Sequence, residues 1–410
     1  MTIKNRHIVV ALDVGTHTVK AAMAEVVAVN SINVLGISAI PARGMRKGHI
    51  VDIELAAQDM EEALNALERL TGIEISSASI GFSGISLSTI NNHTVVAVGT
   101  PSYEISQDDK SRVLHSARNI SLPPDKTIVQ VVERQYIIDG YDGVKEPVGM
   151  VGSRLEVEIT VIIAALAAVQ NLQRSANRIN LEIEALVFNP LFTAEAVLMP
   201  TEMEMGVALV DIGGGTVDVS VFERGSLLCA SVLPLGGEHI TRDLAIILKT
   251  SLEEAAGLKE RSEVMACPDD DDKVVVIKDV KGQVEQRVSQ QLVSEIISAR
   301  VLEIAHLVFA ELRQMDAIDR IPAGIVVTGG GAELNGIAEL FEEYLGIPVR
   351  LGTPDRVTGL AGEYRRPCYG AVVGGLICAA QHIQPYKFEN RRGLSALIDR
   401  MGEWYRDFFR

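Results

Sequence analysis

The sequence has few of the features that mark secreted, zinc-binding or membrane-spanning proteins. It contains only four cysteines in 410 residues, and their spacing fits neither a zinc site nor a disulfide framework, so we expect a reducing cytosol. Residues 2–5 (Thr-Ile-Lys-Asn) are polar where a signal peptide has its apolar core. The longest apolar run, residues 159–169, is too short to cross a bilayer. These absences predict a cytosolic protein whose membrane contact can only be peripheral.

Basic residues are also scarce. The chain has 38 Lys and Arg against 54 Asp and Glu, a net charge of −16. Because contacts with nucleic-acid phosphates need Lys and Arg, this balance argues against nucleic acid as the main partner. The length and an apolar content of 47% are sufficient for two domains, each with its own core.

A glycine-rich stretch, residues 210–218 (Val-Asp-Ile-Gly-Gly-Gly-Thr-Val-Asp), is the first candidate site. Apolar residues before it and alternating valines after it predict two strands joined by a hairpin. Successive N–H groups in a glycine turn form a concave site that suits phosphate. Asp211 is suited to hold the Mg²⁺ that accompanies a nucleotide, directly or through water. Taken alone, the stretch is equally consistent with a glycine-rich turn that binds nothing.

A second copy of this pattern decides between the two interpretations. Residues 11–20 (Ala-Leu-Asp-Val-Gly-Thr-His-Thr-Val-Lys) align with it at a constant offset of 198 residues. Asp13 corresponds to Asp211 and Gly15 to Gly213. A chance turn is not expected twice with the same residues in the same positions, so the pair predicts two duplicated domains that close on one nucleotide.

The order of predicted helices and strands gives the domain boundaries. Each of two α/β core domains carries an insertion. The first core domain comprises residues 1–84 and 161–204 with an insertion at 85–160, and the second comprises 205–248 and 313–383 with an insertion at 249–312. A small-residue helix at 369–380 closes the second domain.

The C-terminal residues predict an amphipathic helix, at 394–410, after a polar linker at 384–393. The last 26 residues hold six aromatics, including the only tryptophan, and six Lys/Arg against four Asp/Glu. An aromatic face beside an arginine-bearing face suits a helix that lies in a membrane surface; the alternative is a last helix packed on the protein's own core. The membrane-facing residues are predicted to be Leu394, Leu397, Ile398, Met401, Trp404, Tyr405, Phe408 and Phe409.

Two Asp-x-Gly hairpins, a late Gly-Gly-Gly loop and the length resemble the actin, Hsp70 and sugar-kinase superfamily of ATP-binding folds. Within it, essentially the whole chain is similar to the FtsA family of bacterial cell-division proteins. The similarity is most specific at residues 44–52 (Gly-Met-Arg-Lys-Gly-His-Ile-Val-Asp), 236–245 (Gly-Gly-Glu-His-Ile-Thr-Arg-Asp-Leu-Ala) and 327–332 (Val-Thr-Gly-Gly-Gly-Ala). The resemblance implies an α/β, actin-like duplicated ATPase fold with two domains around a nucleotide cleft.

The resemblance also implies ATP and Mg²⁺ as ligands and at most a weak ATPase activity. The implied nucleotide site comprises a first phosphate loop with Asp13, Gly15, Thr16 and Lys20, a second with Asp211, Gly213, Gly214, Gly215 and Thr216, an adenosine loop with Gly329, Gly330 and Gly331, and Gly236, Gly237 and Lys259 near the nucleoside. Asp13 and Asp211 would hold Mg²⁺ through water, and Lys20 would neutralise phosphate. The chain departs from the family at Ala256, where a glutamate is expected on the ribose.

The implied partners are those of a division protein. The insertion at 249–312 would receive the C-terminal peptide of FtsZ, with Arg300 as a candidate contact; an ordinary solvated helix charge is equally consistent for Arg300. The chain would self-associate into actin-like filaments, contact later division proteins through residues 85–160, and lie on the anionic cytoplasmic face of the cell membrane at the division site.

Two other functions are compatible with the fold. The first is a small-molecule kinase, but the sequence shows no clear acidic base on a substrate loop, and a metabolic enzyme has no evident need of an amphipathic tail. The second is another actin-like bacterial scaffold. Pilus-assembly proteins share the position of the insertion but not the terminal helix, and the cell-shape actin lacks the insertion.

Overall fold

The computed structural model describes residues 7–28, 31–99, 102–264, 273–280, 282–355 and 357–381. No helix within those ranges is long and apolar enough to cross a membrane. The predicted linker at 384–393 and the terminal helix at 394–410 lie outside the described residues.

The first domain is built on a five-stranded sheet with the strand order β11-β6-β1-β2-β3. Its elements before the insertion are β1 (Ile8–Val14), β2 (Thr18–Ala28), β3 (Ser31–Pro41), β4 (Met45–Arg46), β5 (His49–Ile50), α1 (Ile53–Thr71) and β6 (Ser77–Phe82). β1 pairs antiparallel with β2 and parallel with β6. β1 is central in the sheet and six of its seven residues are buried, as the apolar run of its first five residues predicts.

The insertion folds as an antiparallel sheet with the order β7-β10-β8-β9 and one helix. Its elements are β7 (Ser88–Ala97), α2 (Gln107–Arg118), β8 (Lys126–Ile138), β9 (Tyr141–Val144) and β10 (Arg154–Ala165). It has a core of its own, to which Val113, Tyr136 and Leu155 contribute. The buried hydroxyl of Thr160 donates a 2.8 Å hydrogen bond to the carbonyl of Leu227 in the second domain. The insertion therefore packs against the second domain as well as the first.

The chain then completes the first domain and repeats its design. The remaining first-domain elements are α3 (Leu166–Arg178), β11 (Glu182–Phe188), α4 (Asn189–Val197) and α5 (Pro200–Met205). The second domain begins with β12 (Val207–Ile212), β13 (Val217–Glu223), β14 (Ser226–Leu233) and α6 (Gly237–Ile247). Its sheet has the order β14-β13-β12-β17-β18, so an antiparallel hairpin again lies beside a parallel strand.

The second insertion and the end of the described chain follow. The elements are α7 (Leu252–Glu260), β15 (Val274–Lys278), β16 (Glu285–Ser289), α8 (Gln290–Gln314), β17 (Ile325–Thr328), α9 (Ile337–Leu345), β18 (Val349–Leu351) and α10 (Gly370–Gln381). The sequence assigns α10 to the second domain. In the structure, Val373 and Leu376 of α10 are buried in the first-domain core, and the helix packs along β1 and α4.

Candidate nucleotide-binding site

The two predicted phosphate loops have the same backbone geometry. The N–H of Gly15 donates to the carbonyl of Thr18 at 3.2 Å, and the N–H of Gly213 donates to the carbonyl of Thr216 at 2.9 Å. Each loop closes the hairpin between a central strand and its antiparallel neighbour. The duplication seen in the sequence is therefore also a structural repeat.

The two loops face each other across the domain boundary at close range. A Cβ on Gly215 would lie 2.7 Å from Cγ2 of Thr16, and a Cβ on Gly214 would lie 2.8 Å from Cβ of His17. Real Cβ atoms do not approach so closely, so only glycine allows the second loop to reach the first. The structure thus brings the residues of both predicted loops into one cleft.

Asp13 is held on two sides in the first domain. Its Oδ2 lies 3.6 Å from Nζ of Lys20, its register partner on β2. Its Oδ1 accepts a 2.8 Å hydrogen bond from Nδ2 of the buried Asn189. The sequence did not point to Asn189 as a site residue. The available signal was its position directly after β11, because the carboxyl ends of parallel strands meet at one edge of the sheet.

Asp211 occupies the equivalent position in the second domain. Its Oδ2 accepts a 3.3 Å hydrogen bond from Oγ1 of Thr193, which the sequence also did not single out. Burial and the nearby charge of Asp13 raise the pKa of Asp211 to about 6, although Lys20 and the Thr193 hydroxyl act in the opposite direction. The ionised form of Asp211 is therefore unfavourable in this environment, and a bound cation would stabilise it.

Asp218 adds a third carboxylate to the cleft. It is the register partner of Asp211 on β13 and stands at the repeat position of Lys20. Burial, followed by the charge of Asp211, raises the pKa of Asp218 to about 8, while a hydrogen bond from Ser83 opposes the shift. The raised pKa values of Asp211 and Asp218 show that a further negative charge is unfavourable where the two domains meet, unless a cation accompanies it.

This arrangement fits the implied Mg²⁺. Carboxylate oxygens are the ligands that Mg²⁺ prefers, and the ion commonly keeps several waters and is bound by one or two carboxylates together with phosphate. Within the described ranges, no three His, Cys, Asp or Glu side chains are grouped to hold a metal ion by themselves. Asp13 and Asp211 would therefore hold Mg²⁺ through water, and the ion would neutralise phosphate charge.

The segment predicted to approach the nucleoside packs on the second loop. The N–H of Gly237 donates to the carbonyl of Gly213 at 2.9 Å, and the peptide before it, Gly236, lies against Gly213 and Gly214. Nζ of Lys259 donates to the carbonyl of Gly237 at 3.3 Å, and burial lowers the pKa of Lys259. Gly236, Gly237 and Lys259 are thus neighbours.

Ala256 lies on α7, three residues before Lys259 and within the same helix. The side of the cleft that would receive the ribose therefore lacks a carboxylate at this position.

The predicted adenosine loop adjoins Asp211. Gly329 has φ 87°, and a Cβ on it would lie 2.2 Å from Oδ1 of Asp211. Gly331 lies against Ile212, whereas the nearest atom to a Cβ on Gly330 is Cβ of Cys368 at 4.0 Å. The loop therefore packs closely on Asp211 at Gly329 and is uncrowded at Gly330.

Arg300 lies outside this cleft, on α8. Its Nε is 2.6 Å and its Nη2 3.0 Å from the two carboxylate oxygens of Asp243 on α6, and its Nη1 pairs with Glu303. This bidentate pair joins α6 to α8. A role for Arg300 in peptide binding stays a prediction, and a peptide carboxylate would have to compete with Asp243. The predicted membrane-facing residues, Leu394 to Phe409, lie outside the described residues.

Comparisons with known proteins give a consistent result. The family model "Cell division protein FtsA" matches residues 208–374, and the model "SHS2 domain inserted in FTSA" matches residues 84–163, the first insertion. The chain is 36% identical to the cell division protein FtsA of Pseudomonas aeruginosa over 93% of its own length and 91% of the relative's. It is 34% identical to that of Neisseria meningitidis, over 97% of the chain and 98% of the relative.

Solved structures at lower identity share the fold. A chain of the PilM–PilN type IV pilus biogenesis complex superposes with a TM-score of 0.65 at 16% identity, over 92% of this chain and 99% of that one. MreB5 of Spiroplasma citri bound to ADP superposes with a TM-score of 0.53 at 13% identity, over 90% and 95%. These matches confirm the predicted actin-like α/β fold.

Proposed function

The chain belongs to the FtsA family of cell-division proteins, and on that premise we propose that it binds ATP with Mg²⁺, tethers FtsZ filaments to the inner face of the cytoplasmic membrane and assembles at the division septum. The observation that carries the nucleotide part is the pair of equivalent loops that face each other, Gly214 and Gly215 against Thr16 and His17. A phosphate chain between them would be bound by N–H groups from both domains, so nucleotide binding would fix the angle between the domains.

Among the alternatives, the family relationship favours a division protein. The relatives that are at least 30% identical over nearly the whole chain carry a cell-division name. The pilus protein and MreB5 are similar at 16% and 13% identity, which shows a shared fold alone. A kinase would require a carboxylate base near the phosphate loops. Of the carboxylates that the structure describes at those loops, Asp13 pairs with Lys20 and Asp218 accepts a hydrogen bond from Ser83 of the other domain, and Asp211 is the one proposed to hold Mg²⁺.

The membrane part of the proposal rests on the sequence of residues 394–410. Burial of apolar side chains contributes up to about 1.5–3 kcal/mol each before immersion and folding costs reduce the total. One such helix would bind reversibly. Several helices linked in one filament would bind firmly, because each bound helix raises the effective concentration of the next.

The FtsZ part rests on the second insertion. Its hairpin exposes apolar side chains, with Val274 and Val276 at 55% and 50% exposure. Arg300 and Asp243 lie on helices of the same side of the domain, where α6 packs on α8. A carboxylate on a peptide could replace Asp243 as the bidentate partner of the Arg300 guanidinium.

The experiment that tests the proposal is a titration of the full chain with a labelled FtsZ C-terminal peptide. We expect saturable binding that a scrambled peptide does not reproduce. Arg300→Ala should weaken it by about 10-fold if the guanidinium contacts a peptide carboxylate, and Arg313→Ala, an exposed change near the end of the same helix, should not. Absence of peptide binding to the unsubstituted chain would overturn the tethering function.

A further inference from the structure

The short β4–β5 hairpin, Met45–Ile50, has no role in the site described so far, although it lies beside it. Its base is fixed by Asp59, whose fully buried carboxylate accepts hydrogen bonds from the N–H groups of Arg43 at 2.6 Å and Gly44 at 3.0 Å. The hairpin is therefore a rigid projection from the first domain.

The tip of the hairpin rests on the first phosphate loop. The N–H of Gly48 donates to Oγ1 of Thr16 at 2.9 Å. Gly48 has φ 73°, and a Cβ on it would lie 2.5 Å from Cα of Gly84, the residue after Ser83. The tip thus contacts a loop residue of the predicted site and lies next to the hydrogen bond that joins Ser83 to Asp218.

Lys47 occupies the tip in a conformation that non-glycine residues rarely adopt, with φ 49°. Such a conformation costs about 1 kcal/mol or more and persists only where surrounding contacts impose it. The residue is partly buried, and no hydrogen bond or ion pair of its ammonium is found within the described ranges. Its charge is therefore not committed to a carboxylate of the described chain and is available to an anion that comes from outside it.

The charge of Lys47 acts across the cleft on the second domain. Burial is the main reason that the pKa of His239 is lowered, and the positive charges of Arg300, Arg242 and Lys47 lower it further. The hydrogen bond with the N–H of Gly236 acts in the opposite direction. Gly236 itself lies on the carbonyls of the second phosphate loop. The hairpin tip therefore lies beside the first loop, where Gly48 contacts Thr16, and the charge of the adjacent Lys47 is close enough to act on His239 of the second domain.

The other lysines of the site are already engaged. Lys20 lies 3.6 Å from Asp13, and Lys259 donates to the carbonyl of Gly237. A nucleoside triphosphate carries one more charged phosphate than a diphosphate, and that phosphate needs a further cation in a cleft with three carboxylates.

We propose that Lys47 binds the terminal phosphate of a nucleoside triphosphate, so that the β4–β5 hairpin distinguishes the triphosphate from the diphosphate. This inference rests on the proposed nucleotide binding and identifies Lys47 as the residue that would bind a triphosphate in preference to a diphosphate. Gly48 is hydrogen-bonded to Thr16, and Thr16 lies against Gly215 of the second loop. Phosphate binding to Lys47 would therefore also affect the contact between the domains.

The test compares the affinities of the full chain for Mg·ATP and Mg·ADP by calorimetry in three proteins: unsubstituted, Lys47→Gln and Arg46→Gln. Lys47→Gln keeps an unbranched polar side chain but removes the charge, and the exposed Arg46 provides a matched loss of charge at the adjacent position. We expect Lys47→Gln to weaken ATP binding by about 10- to 100-fold and ADP binding by less than about twofold. Arg46→Gln should leave the ratio of the two affinities unchanged.

Four results would overturn the inference. Equal weakening of ATP and ADP binding by Lys47→Gln would show that the lysine attracts both nucleotides alike, and unchanged affinities for both would remove it from the site. A similar effect of Arg46→Gln would assign the effect to the charge of the hairpin as a whole. If the unsubstituted chain bound neither nucleotide, the proposed nucleotide function would fail, and this inference with it. Unliganded melting temperatures that agree among the three proteins would exclude misfolding as the cause.

Discussion

The hydroxyl of Ser83, directly after β6 of the first domain, donates a hydrogen bond to the buried carboxylate of Asp218 in the second domain. Asp218 stands at the repeat position of Lys20, which pairs with Asp13 inside the first domain. The two halves of the cleft therefore use the same strand position differently. In the first, Lys20 pairs with a carboxylate of its own domain, and in the second, the carboxylate of Asp218 is linked to the other domain.

The first prediction concerns this link. Ser83→Ala leaves a buried carboxylate without its hydroxyl donor, so the free energy of unfolding should fall by about 1–3 kcal/mol. Ser88→Ala, an exposed change on β7, should leave it within about 0.5 kcal/mol. Denaturant unfolding of both variants measures the difference, and equal midpoints for Ser83→Ala and the unsubstituted chain would contradict the link.

The second prediction concerns the first insertion, where Asp109 completes the capping box of α2 with the N-cap residue Ser106. Its buried carboxylate accepts hydrogen bonds from the N–H and hydroxyl of Ser106 at 2.9 and 2.6 Å and from the N–H of Gly99 at 3.1 Å, and it pairs with Arg112. Asp109→Ala leaves these donors without an acceptor and should reduce the free energy of unfolding by about 2–3 kcal/mol. Asp108→Ala, an exposed change in the same turn, is the matched control.

The pH dependence of the same variant gives a third prediction. Burial alone would raise the pKa of Asp109, but the hydrogen bonds from Ser106, Gly99 and Arg112 outweigh it and hold that pKa well below its ordinary value of 3.8. A carboxyl group whose pKa is lower in the folded state than in the unfolded state stabilises the fold at pH values above the unfolded-state pKa. This stabilisation is lost progressively as the pH falls from the unfolded-state pKa through the folded-state pKa. The stability difference between Asp109→Ala and the unsubstituted chain should therefore be constant above about pH 5 and shrink below about pH 4. A difference that did not change down to pH 2 would show that the ionised carboxylate is not responsible.

The fourth prediction concerns the predicted membrane helix. Deletion of residues 394–410 should abolish co-sedimentation with anionic vesicles and leave nucleotide binding intact. Within the full chain, Trp404→Glu should weaken vesicle binding, because it places a charge on the apolar face. Glu403→Gln, on the polar face, should not weaken it. A truncated chain that still pelleted with vesicles would show that the anchor lies elsewhere.

The sequence predicted those parts of the site whose signal is local. Asp13, Lys20 and Gly15 lie within one hairpin, so spacing alone places them together, and the 198-residue offset identifies the second hairpin. The same reasoning applies to Asp211 and Gly213. A two-strand hairpin is a short-range structure, and its residues carry their own turn chemistry.

The remaining contacts depend on tertiary packing that no local pattern specifies. Asn189 and Thr193 reach the aspartates from α4, and Ser83 reaches Asp218 from the loop directly after β6 in the other domain. The sequence assigned α10 to the second domain, whereas in the structure the helix packs in the core of the first. A helix of small residues can pack in either core, and its place in the chain does not indicate which. Arg300 is a further example, because its partner Asp243 lies on a different helix.

The measurement that tests the central claim most directly is a titration of the full chain with ATP, with and without Mg²⁺, for the unsubstituted protein and for Asp211→Asn, with the exposed Asp319→Asn as the control. Asp211 is expected to hold Mg²⁺ through water against the phosphates, so Asp211→Asn should weaken Mg·ATP binding by about 10- to 100-fold and change metal-free binding little. Asp319→Asn should have no effect. Unchanged Mg·ATP affinity in Asp211→Asn would contradict the proposal that the two facing hairpins bind one nucleotide and its metal.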